Sequence, residues 1–218
     1  MNKIIAFVAA LLLTHSIPCT GEAPSITLDQ YLRQMGAVVT EGHICSENSG
    51  KVEFFTKLLQ SSPSIANIGE IGFNAGHSSD IFLSANPKIK VVSFDIVSHS
   101  YARIGKQYID SKYPGRHLLI EGNSLISVPD FSQKNPRVCF ELIFIDGGHD
   151  FNTAYNDIIN MRKLAFLTTI VVVDDINYPD VAAAWEKCVR EGYAKEIQRF
   201  EGKNRIWAMG KYMFPKVL

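Results

Sequence analysis

Three acidic side chains follow two apolar segments in the second half of the chain, where they are placed to bind a cation. Asp146 follows segment 142–145, and Asp174 and Asp175 directly follow segment 169–173. Adjacent parallel strands would bring these carboxylates together, and close carboxylates repel each other and shift each other's pKa. A divalent cation such as Mg²⁺ relieves that repulsion because it prefers oxygen ligands. The alternative is that one or more of these residues caps the segment after it.

A histidine lies in the glycine-containing turn that follows the first of these acids. His149 is a candidate general base because imidazole titrates near neutral pH. Asp146 is a second catalytic candidate, since a cation held there would lower the pKa of a substrate hydroxyl and orient its oxygen. The alternative is that His149 only hydrogen-bonds its turn or faces the substrate.

An earlier apolar run leads into a loop with two glycines, Glu70-Ile71-Gly72-Phe73-Asn74-Ala75-Gly76. Ligands of open α/β sheets bind beyond the carboxyl ends of the strands, where glycine lets the backbone approach them closely. The loop lacks the third glycine of a dinucleotide-binding fold and the Lys-Ser/Thr pair of a phosphate-binding loop. A purely structural turn is therefore an equally good interpretation of the loop alone. His77, which follows it, could meet a carboxylate through its backbone N–H at a helix start.

Polar residues also follow the next two apolar runs. Asp95 closes the run 91–94, where a carboxylate can accept hydrogen bonds from two ribose hydroxyls. Asn123 and Ser124 follow the run 117–120, and their short polar side chains suit the edge of an adenine. Capping of the next helix explains these two residues equally well.

The elements that must position these residues alternate from residue 64 onward. Nearly continuous β-branched runs are typical of strands buried on both faces of a parallel sheet, and their alternation with amphipathic stretches indicates βαβ units. The predicted strands are 65–71, 89–94, 117–120, 142–145 and 169–173, with a terminal antiparallel hairpin of 196–200 and 205–209. The predicted helices are 78–84, 101–111, 125–131, 153–164 and 181–191. The fold class is therefore α/β, a doubly wound seven-stranded mixed sheet.

The N-terminal part of the chain has a different texture. Lys3 precedes an unbroken apolar run of ten residues, Ile4–Leu13, and a polar, turn-rich exit follows. This pattern is typical of a secretory signal, and the run is short for a bilayer span; a buried N-terminal helix is the alternative. We predict a signal peptide or signal anchor over 1–21 and export through the secretory pathway, with membrane attachment only if the segment is uncleaved. A helical extension over 22–63, with helices 28–38 and 50–59, precedes the α/β domain at 64–218.

Composition limits the partners of the protein. The 218 residues suffice for one sizeable core, and 22 basic residues balance 22 acidic ones, so the formal charge is zero. Such a chain lacks the positive charge expected of a nucleic-acid-binding protein. We therefore expect a small-molecule partner and no nucleic acid, and a homodimer is left open.

Five motifs, each at the end of a predicted strand, together resemble class I S-adenosylmethionine-dependent methyltransferases. The similarity is to the methyltransferase domain 24 group and to metal-assisted O-methyltransferases, and it covers about residues 64–209. The motifs are EIGFNAGHSS, VVSFDI, EGNS, ELIFIDGGHDFNTAYNDI and TTIVVVDDIN. The resemblance implies a Rossmann-like methyltransferase fold that binds S-adenosyl-L-methionine.

The resemblance also implies roles for individual residues. Glu70, Gly72 and Gly76 would surround the methionine part of the cofactor, Asp95 the ribose, and Asn123 and Ser124 the adenine. Further residues expected at the cofactor are Asn74, His77, Ser78 and Asp146. Asp146, Asp174 and Asp175 would bind Mg²⁺ or another divalent cation.

Two positions depart from the family pattern. Asn123 stands where the family usually has aspartate, and Gly148 stands where some metal-assisted sugar O-methyltransferases have an acidic base. The function expected is O-methylation of a small-molecule hydroxyl, with Mg²⁺ assistance. The alternatives are a catalytically inactive binding domain that kept the fold, and a nucleotide-dependent oxidoreductase, which the missing third glycine and the 146–149 and 174–177 segments disfavour.

Overall fold

The computed structural model describes residues 26–41, 49–202 and 205–215, so the predicted leader at 1–21 lies outside the described residues. The described residues form seven helices and seven strands. The helices are α1 (Leu28–Gln34), α2 (Ser49–Ser61), α3 (His77–Ala85), α4 (Ser100–Lys112), α5 (Ser124–Lys134), α6 (Phe151–Arg162) and α7 (Pro179–Arg190). The strands are β1 (Asn67–Ile71), β2 (Lys90–Asp95), β3 (His117–Glu121), β4 (Phe140–Ile145), β5 (Ala165–Val173), β6 (Ala194–Gly202) and β7 (Arg205–Tyr212).

All seven strands form one sheet in the order β3-β2-β1-β4-β5-β7-β6. The first five in this order are parallel, and β7 runs antiparallel to both β5 and β6. The predicted doubly wound mixed sheet with a terminal hairpin is thereby confirmed. The strand order reverses between β1 and β4, which is the place where such sheets bind their ligands.

The register brings the carboxyl ends of the central strands level with one another. Ile71 at the end of β1 pairs with Phe94 on one side and with Ile145 on the other. Ile145 in turn pairs with Val173 at the end of β5. The residues that follow these four positions therefore meet at one edge of the sheet.

Helices bury both faces of the sheet, which explains the continuous apolar strand sequences. On one face, α5, α6 and α7 contribute side chains around the fully buried Trp185. On the other face, the ring of Phe55 from α2 lies 4.9 Å from the ring of Phe82 and 5.1 Å from that of Phe144. Edge-to-face packing of this kind adds to the stabilisation from apolar burial.

The N-terminal helices belong to this second core layer. Leu28 and Leu32 of α1, like Phe55 and Leu59 of α2, are buried with the strand residues. A capping box between Thr27 and Gln30 begins α1. The helix ends at Gln34, short of the predicted residue 38, because Gly36 adopts a left-handed conformation with a φ of 71°.

Among the described residues, the structure contains no helix with the length and apolarity needed to cross a bilayer.

Candidate active site

The loop after β1 is pressed against the loop after β4. Gly72 has a φ of 89°, and a Cβ atom there would lie 1.8 Å from the carbonyl oxygen of Asp146. Its amide donates a hydrogen bond to the Phe94 carbonyl at 2.9 Å. Only glycine fits a position that combines a positive φ with so close a backbone contact. The two loops thus form a shared wall at the switch point of the sheet.

Glu70 supports this loop from beneath. Its carboxylate is fully buried and accepts hydrogen bonds from the hydroxyls of Ser78, of Ser79 at 2.7 Å and of Ser93 at 2.5 Å. Burial raises the pKa of Glu70, and the three hydroxyl donors partly offset that shift. Glu70 therefore holds the loop against α3 and β2, and its contact with the cofactor stays a prediction.

His77 and Ser78 are likewise buried beneath the loop. The Nε2 atom of His77 lies 2.8 Å from the Oδ1 atom of Asp29, which joins α3 to α1. Gly76, with a φ of 93°, turns the chain into α3. Of the residues predicted to contact the cofactor from this loop, the structure brings Gly72 and Asn74 to the cavities; Gly76, His77 and Ser78 support them.

A cavity of about 340 Å³ opens beside the loop, and we call it the Asp95 cavity. The Oδ2 atom of Asp95 accepts a hydrogen bond from the Asn74 amide at 2.8 Å, and its Oδ1 atom accepts one from the Val97 amide at 2.6 Å. Each carboxylate oxygen retains a lone pair for a further donor. Asp95 is thus oriented by the backbone while it faces the cavity.

Asn74 (φ 52°) and Val97 (φ 53°), which donate these two hydrogen bonds, adopt left-handed conformations, as does Asp175 (φ 57°) after β5. Such a conformation is costly, above all for the β-branched Val97, and it is a feature of functional sites. The hydrogen bond from the Val97 amide to Asp95 explains how the strained turn is held. The strain therefore serves to place the acidic side chain.

The third strand contributes the far end of the Asp95 cavity. Asn123 caps α5, since its side chain accepts a hydrogen bond from the Leu125 amide at 2.9 Å. Asn123 and Ser124 also line the cavity. The capping role of Asn123 is therefore confirmed, and its contact with an adenine stays a prediction. Additional lining residues, which the sequence did not indicate, are Ile96, His99, Tyr101 and Thr153.

A second cavity of about 410 Å³ adjoins the first, and we call it the His149 cavity. Asp146 borders both cavities. The residues common to the two linings are Glu41, Gly72, Asn74, Asp146, Gly147 and Gly148. A molecule in one cavity therefore contacts the same narrow wall as a molecule in the other.

His149 and Asp175 form a hydrogen-bonded pair in the second cavity. The His149 Nε2 atom lies 2.9 Å from the Asp175 Oδ2 atom, and the Arg205 Nη1 atom lies 2.5 Å from Asp175 Oδ1. The hydrogen bond to Asp175 raises the pKa of His149. Although burial alone would raise it, the bonds from His149 and Arg205 hold the pKa of Asp175 below its ordinary value. The ring of Tyr178 stacks on the imidazole with centroids 4.3 Å apart.

Asp174 forms a buried ion pair with Lys51 of α2. The side chains of Lys51 and Asp174 are 4% and 1% exposed, so water does not screen the pair. The other oxygen of Asp174, Oδ1, accepts a hydrogen bond from the Asp175 amide at 2.8 Å. Each oxygen of Asp174 therefore already accepts one hydrogen bond.

These contacts revise the predicted set of metal ligands. Ligand atoms of Asp146, His149 and Asp175 lie within 4.8 Å of one another, whereas Asp174 faces Lys51. Mg²⁺ favours oxygen ligands in octahedral geometry, and this group includes a nitrogen ligand. Both oxygens of Asp175 already accept bonds from His149 and Arg205. The three predicted carboxylates do not fit Mg²⁺ in this arrangement, and metal binding stays an untested prediction.

Lys51 and Arg205 line the His149 cavity and were missed by sequence reasoning. Lys51 does leave a signal, because it lies one and two helical turns from Phe55 and Leu59, which are both fully buried. A lysine on the apolar stripe of a helix indicates a buried partner. Arg205 at the start of β7 has no comparable signal.

A doubly wound sheet in this order, with an acidic residue at the end of β2 and a glycine loop at the switch point, defines a class I methyltransferase fold. The comparison with protein families agrees, because residues 70–176 match the family described as "Methyltransferase domain". Residues 70–176 thus match a methyltransferase domain, and the sheet around them has the class I methyltransferase fold. Among curated protein sequences, none matches the chain significantly.

Solved structures share the fold at low sequence identity. The O-methyltransferase from Bacillus cereus in complex with SAH has a TM-score of 0.70 and 18% identity, covering 95% of this chain and 99% of that one. The O-methyltransferase TomG from Streptomyces achromogenes, solved with SAM, has a TM-score of 0.69 and 14% identity, covering 98% and 100%. CalS11, a TDP-rhamnose 3'-O-methyltransferase, has a TM-score of 0.60 and 17% identity, covering 94% and 92%. At these identities the likeness is one of fold.

Proposed function

We propose that this chain transfers the methyl group of S-adenosyl-L-methionine to a hydroxyl of a small-molecule acceptor. The observation that carries the proposal is the pair of adjoining cavities with a common wall at Gly72, Asp146 and Gly147. One cavity presents a carboxylate suited to a ribose, and the other presents a histidine held by an aspartate. The shared border carries little side-chain bulk. A methyl donor in one cavity and an acceptor in the other would therefore lie next to each other.

The Asp95 cavity suits the cofactor in shape and in chemistry. The lone pairs of Asp95 face the cavity and would accept hydrogen bonds from two ribose hydroxyls. Asn123 and Ser124 line the cavity where the adenine would lie. Gly72, which lets the two loops touch because it has no Cβ atom, lines the cavity where the methionine part would lie. When bound, S-adenosylmethionine supplies an electrophilic methyl group on a sulfonium.

His149 is the proposed general base. Asp175 accepts a hydrogen bond from Nε2–H, and this selects the tautomer in which Nδ1 can take a proton. Nδ1 would remove the proton of the acceptor hydroxyl as its oxygen forms a bond to the methyl carbon and the carbon–sulfur bond breaks. The proton stays on His149, whose charge Asp175 stabilises, and S-adenosylhomocysteine leaves. Asp146, at the common wall, would orient the acceptor beside the methyl group.

The size and lining of the His149 cavity indicate the class of acceptor. About 410 Å³ suits a molecule of the size of a sugar or a phenol. The stacked rings of His149 and Tyr178 offer a flat surface for such a ring, and Tyr178 is 40% exposed. The predicted Mg²⁺ assistance is not part of this proposal, because Asp174 and Asp175 are already paired with cationic side chains.

The experiment is calorimetry with S-adenosylhomocysteine, followed by transfer of labelled methyl from S-adenosylmethionine to a panel of phenolic acids and nucleotide sugars. We expect micromolar binding of S-adenosylhomocysteine and label in at least one acceptor. Binding without transfer to any acceptor would favour the inactive binding domain. An absence of binding, together with a co-purified nicotinamide nucleotide, would favour the oxidoreductase.

We also propose that residues 1–21 direct the chain into the secretory pathway, which rests on the apolar run 4–13 alone. Expression in a secreting host, with N-terminal sequencing of the product, tests this. A product that begins near residue 21 supports the proposal, and an intact N terminus in the cytosolic fraction contradicts it.

A further inference from the structure

We propose that Lys51 takes the place of a divalent cation in the His149 cavity, so that methyl transfer by this chain needs no metal ion. Its ammonium group would contact the acceptor oxygen and stabilise the negative charge that develops there. The inference rests on the proposed function, because it concerns the acceptor half of the same site. It also explains why the carboxylates expected to bind Mg²⁺ are arranged differently here.

The position of Lys51 is the first argument. Lysine is rarely buried, since its charge loses hydration that a partner must replace. Lys51 nevertheless lies on the buried stripe of α2, pairs with Asp174 and lines the His149 cavity. Its Nζ atom is 5.8 Å from the centre of the Trp207 ring, a further contact that favours a cation. The fold therefore holds a positive charge at the end of β5.

The charge balance is the second argument. Asp146, Asp174 and Asp175 carry three negative charges when they are ionised. Lys51 and Arg205 supply two positive charges in direct contact with two of these acids. One negative charge remains. A divalent ion would exceed that charge and would have to displace a cationic side chain from its partner.

The number of donors is the third argument. An ammonium group has three N–H donors. Within the part of the chain that the structure describes, Asp174 is the hydrogen-bond acceptor for Lys51. The remaining donors can serve an acceptor oxygen in the cavity that Lys51 lines. As His149 takes the proton, this oxygen gains negative charge, and a fixed ammonium group lowers the energy of that state.

The first test titrates Mg²⁺ alone into the protein saturated with S-adenosylhomocysteine and measures the heat. We expect no saturable binding in the parent protein. Lys51→Met frees an oxygen of Asp174 and should create a Mg²⁺ site at least ten times tighter than any in the parent. Lys51→Met combined with Asp174→Asn should lose that site again. Saturable Mg²⁺ binding by the parent that Asp174→Asn or Asp175→Asn removes would overturn the proposal.

The second test measures methyl transfer before and after treatment with EDTA. The rate of the parent should change by less than twofold, and Lys51→Met should lower kcat by about 100-fold while S-adenosylhomocysteine affinity stays within twofold. Lys51→Arg, which keeps the charge, should recover part of the rate. Lys57→Met is the matched control, because Lys57 lies on the same helix in an exposed pair with Glu53. A tenfold loss with EDTA that Mg²⁺ reverses would contradict the proposal.

The two proposals fail in different ways. Loss of S-adenosylhomocysteine binding by the parent would reject the proposed function, whereas the Mg²⁺ titration decides the role of Lys51 without any acceptor. If Lys51→Met does not fold because Asp174 is left unpaired, the titration and the EDTA treatment of the parent still give the answer. The double variant, which removes both charges of the buried pair, then reports whether the pair itself is needed for folding.

Discussion

The Asp95 cavity is built by loops that each follow a strand, whereas the His149 cavity joins side chains from segments far apart in the chain. On the first side, backbone amides do most of the positioning, as in the bonds from Asn74 and Val97 to Asp95. On the second side, Lys51 and Arg205 approach from α2 and β7. Backbone contacts within a loop leave a local sequence motif, whereas the two partners of a distant ion pair are not marked as partners in the sequence.

Substitutions in the two cavities should therefore have different effects. A change in a loop of the Asp95 cavity disturbs the backbone, and so it should affect folding and cofactor affinity together. A change in an ion pair of the His149 cavity leaves the sheet intact and should affect the chemical step or the stability at a given pH. The following substitutions test this separation.

Gly72→Ala should have the largest effect. The added Cβ would lie 1.8 Å from the Asp146 carbonyl oxygen at a φ of 89°, so the common wall of both cavities must shift. We expect loss of S-adenosylhomocysteine binding by calorimetry and destabilisation by about 4 kcal/mol in denaturant unfolding. Gly115→Ala is the control, because Gly115 also has a positive φ but no atom within 4 Å of the added Cβ. It should cost about 1 kcal/mol, and equal effects of the two would contradict the close contact.

His149→Ala should lower kcat by about 10³-fold and leave cofactor affinity unchanged. The base must be neutral to accept a proton, so the rate should rise with pH through the raised pKa of His149. Asp175→Asn removes the cause of that shift, and it should move the acidic limb of the pH–rate profile to lower pH.

His99 offers a matched comparison for His149, since it lines the Asp95 cavity and stacks on Tyr101 at 4.8 Å. His99→Ala should weaken S-adenosylhomocysteine binding and keep the acidic limb of the parent. An unchanged kcat for His149→Ala would remove this residue as the base.

Asp95→Ala should weaken S-adenosylhomocysteine binding by about 100-fold or more, because two charge-assisted hydrogen bonds to the ribose are lost. Calorimetry measures this directly. Asp174→Asn, on the other side of the cleft, should retain the affinity of the parent within a factor of about two. Equal affinities of Asp95→Ala and the parent would refute the ribose assignment.

Asp157→Asn should have the smallest effect, on stability alone. Asp157 is fully buried behind the common wall, where its carboxylate adjoins Gly147. Burial raises its pKa to about 7, and Ser124 partly offsets the shift.

The sign of the effect follows from this raised pKa. Below pH 4 the acid is neutral in the folded and unfolded chains alike, and its favourable contribution is lost as the pH rises toward 7. Asp157→Asn should therefore stabilise the protein by about 2 kcal/mol at pH 8, with little change at pH 4. Urea unfolding at the two pH values measures this. Asp130→Asn, on the exposed face of α5, is the control, and a stabilisation independent of pH would contradict the raised pKa.

Much of the fold could be predicted because strands buried on both faces must be apolar throughout. All seven predicted strands are present, with boundaries that differ by up to four residues. The largest difference is β5, which begins at Ala165 because that residue pairs with Phe140 across an irregularity in the ladder. Pairing with a neighbour, which composition does not encode, extends the strand.

The sequence by itself determined the order of strands and helices, the glycine turn at Gly72 and the acidic residue at the end of β2, because these depend on local patterns of burial and backbone geometry. Only the tertiary structure decided that Glu70 supports the loop from below and that Asp174 pairs with Lys51. Those outcomes depend on which side chains, distant in sequence, the fold brings next to a buried carboxylate. Burial of a charge requires a partner, and the partner can come from any segment that the fold brings near.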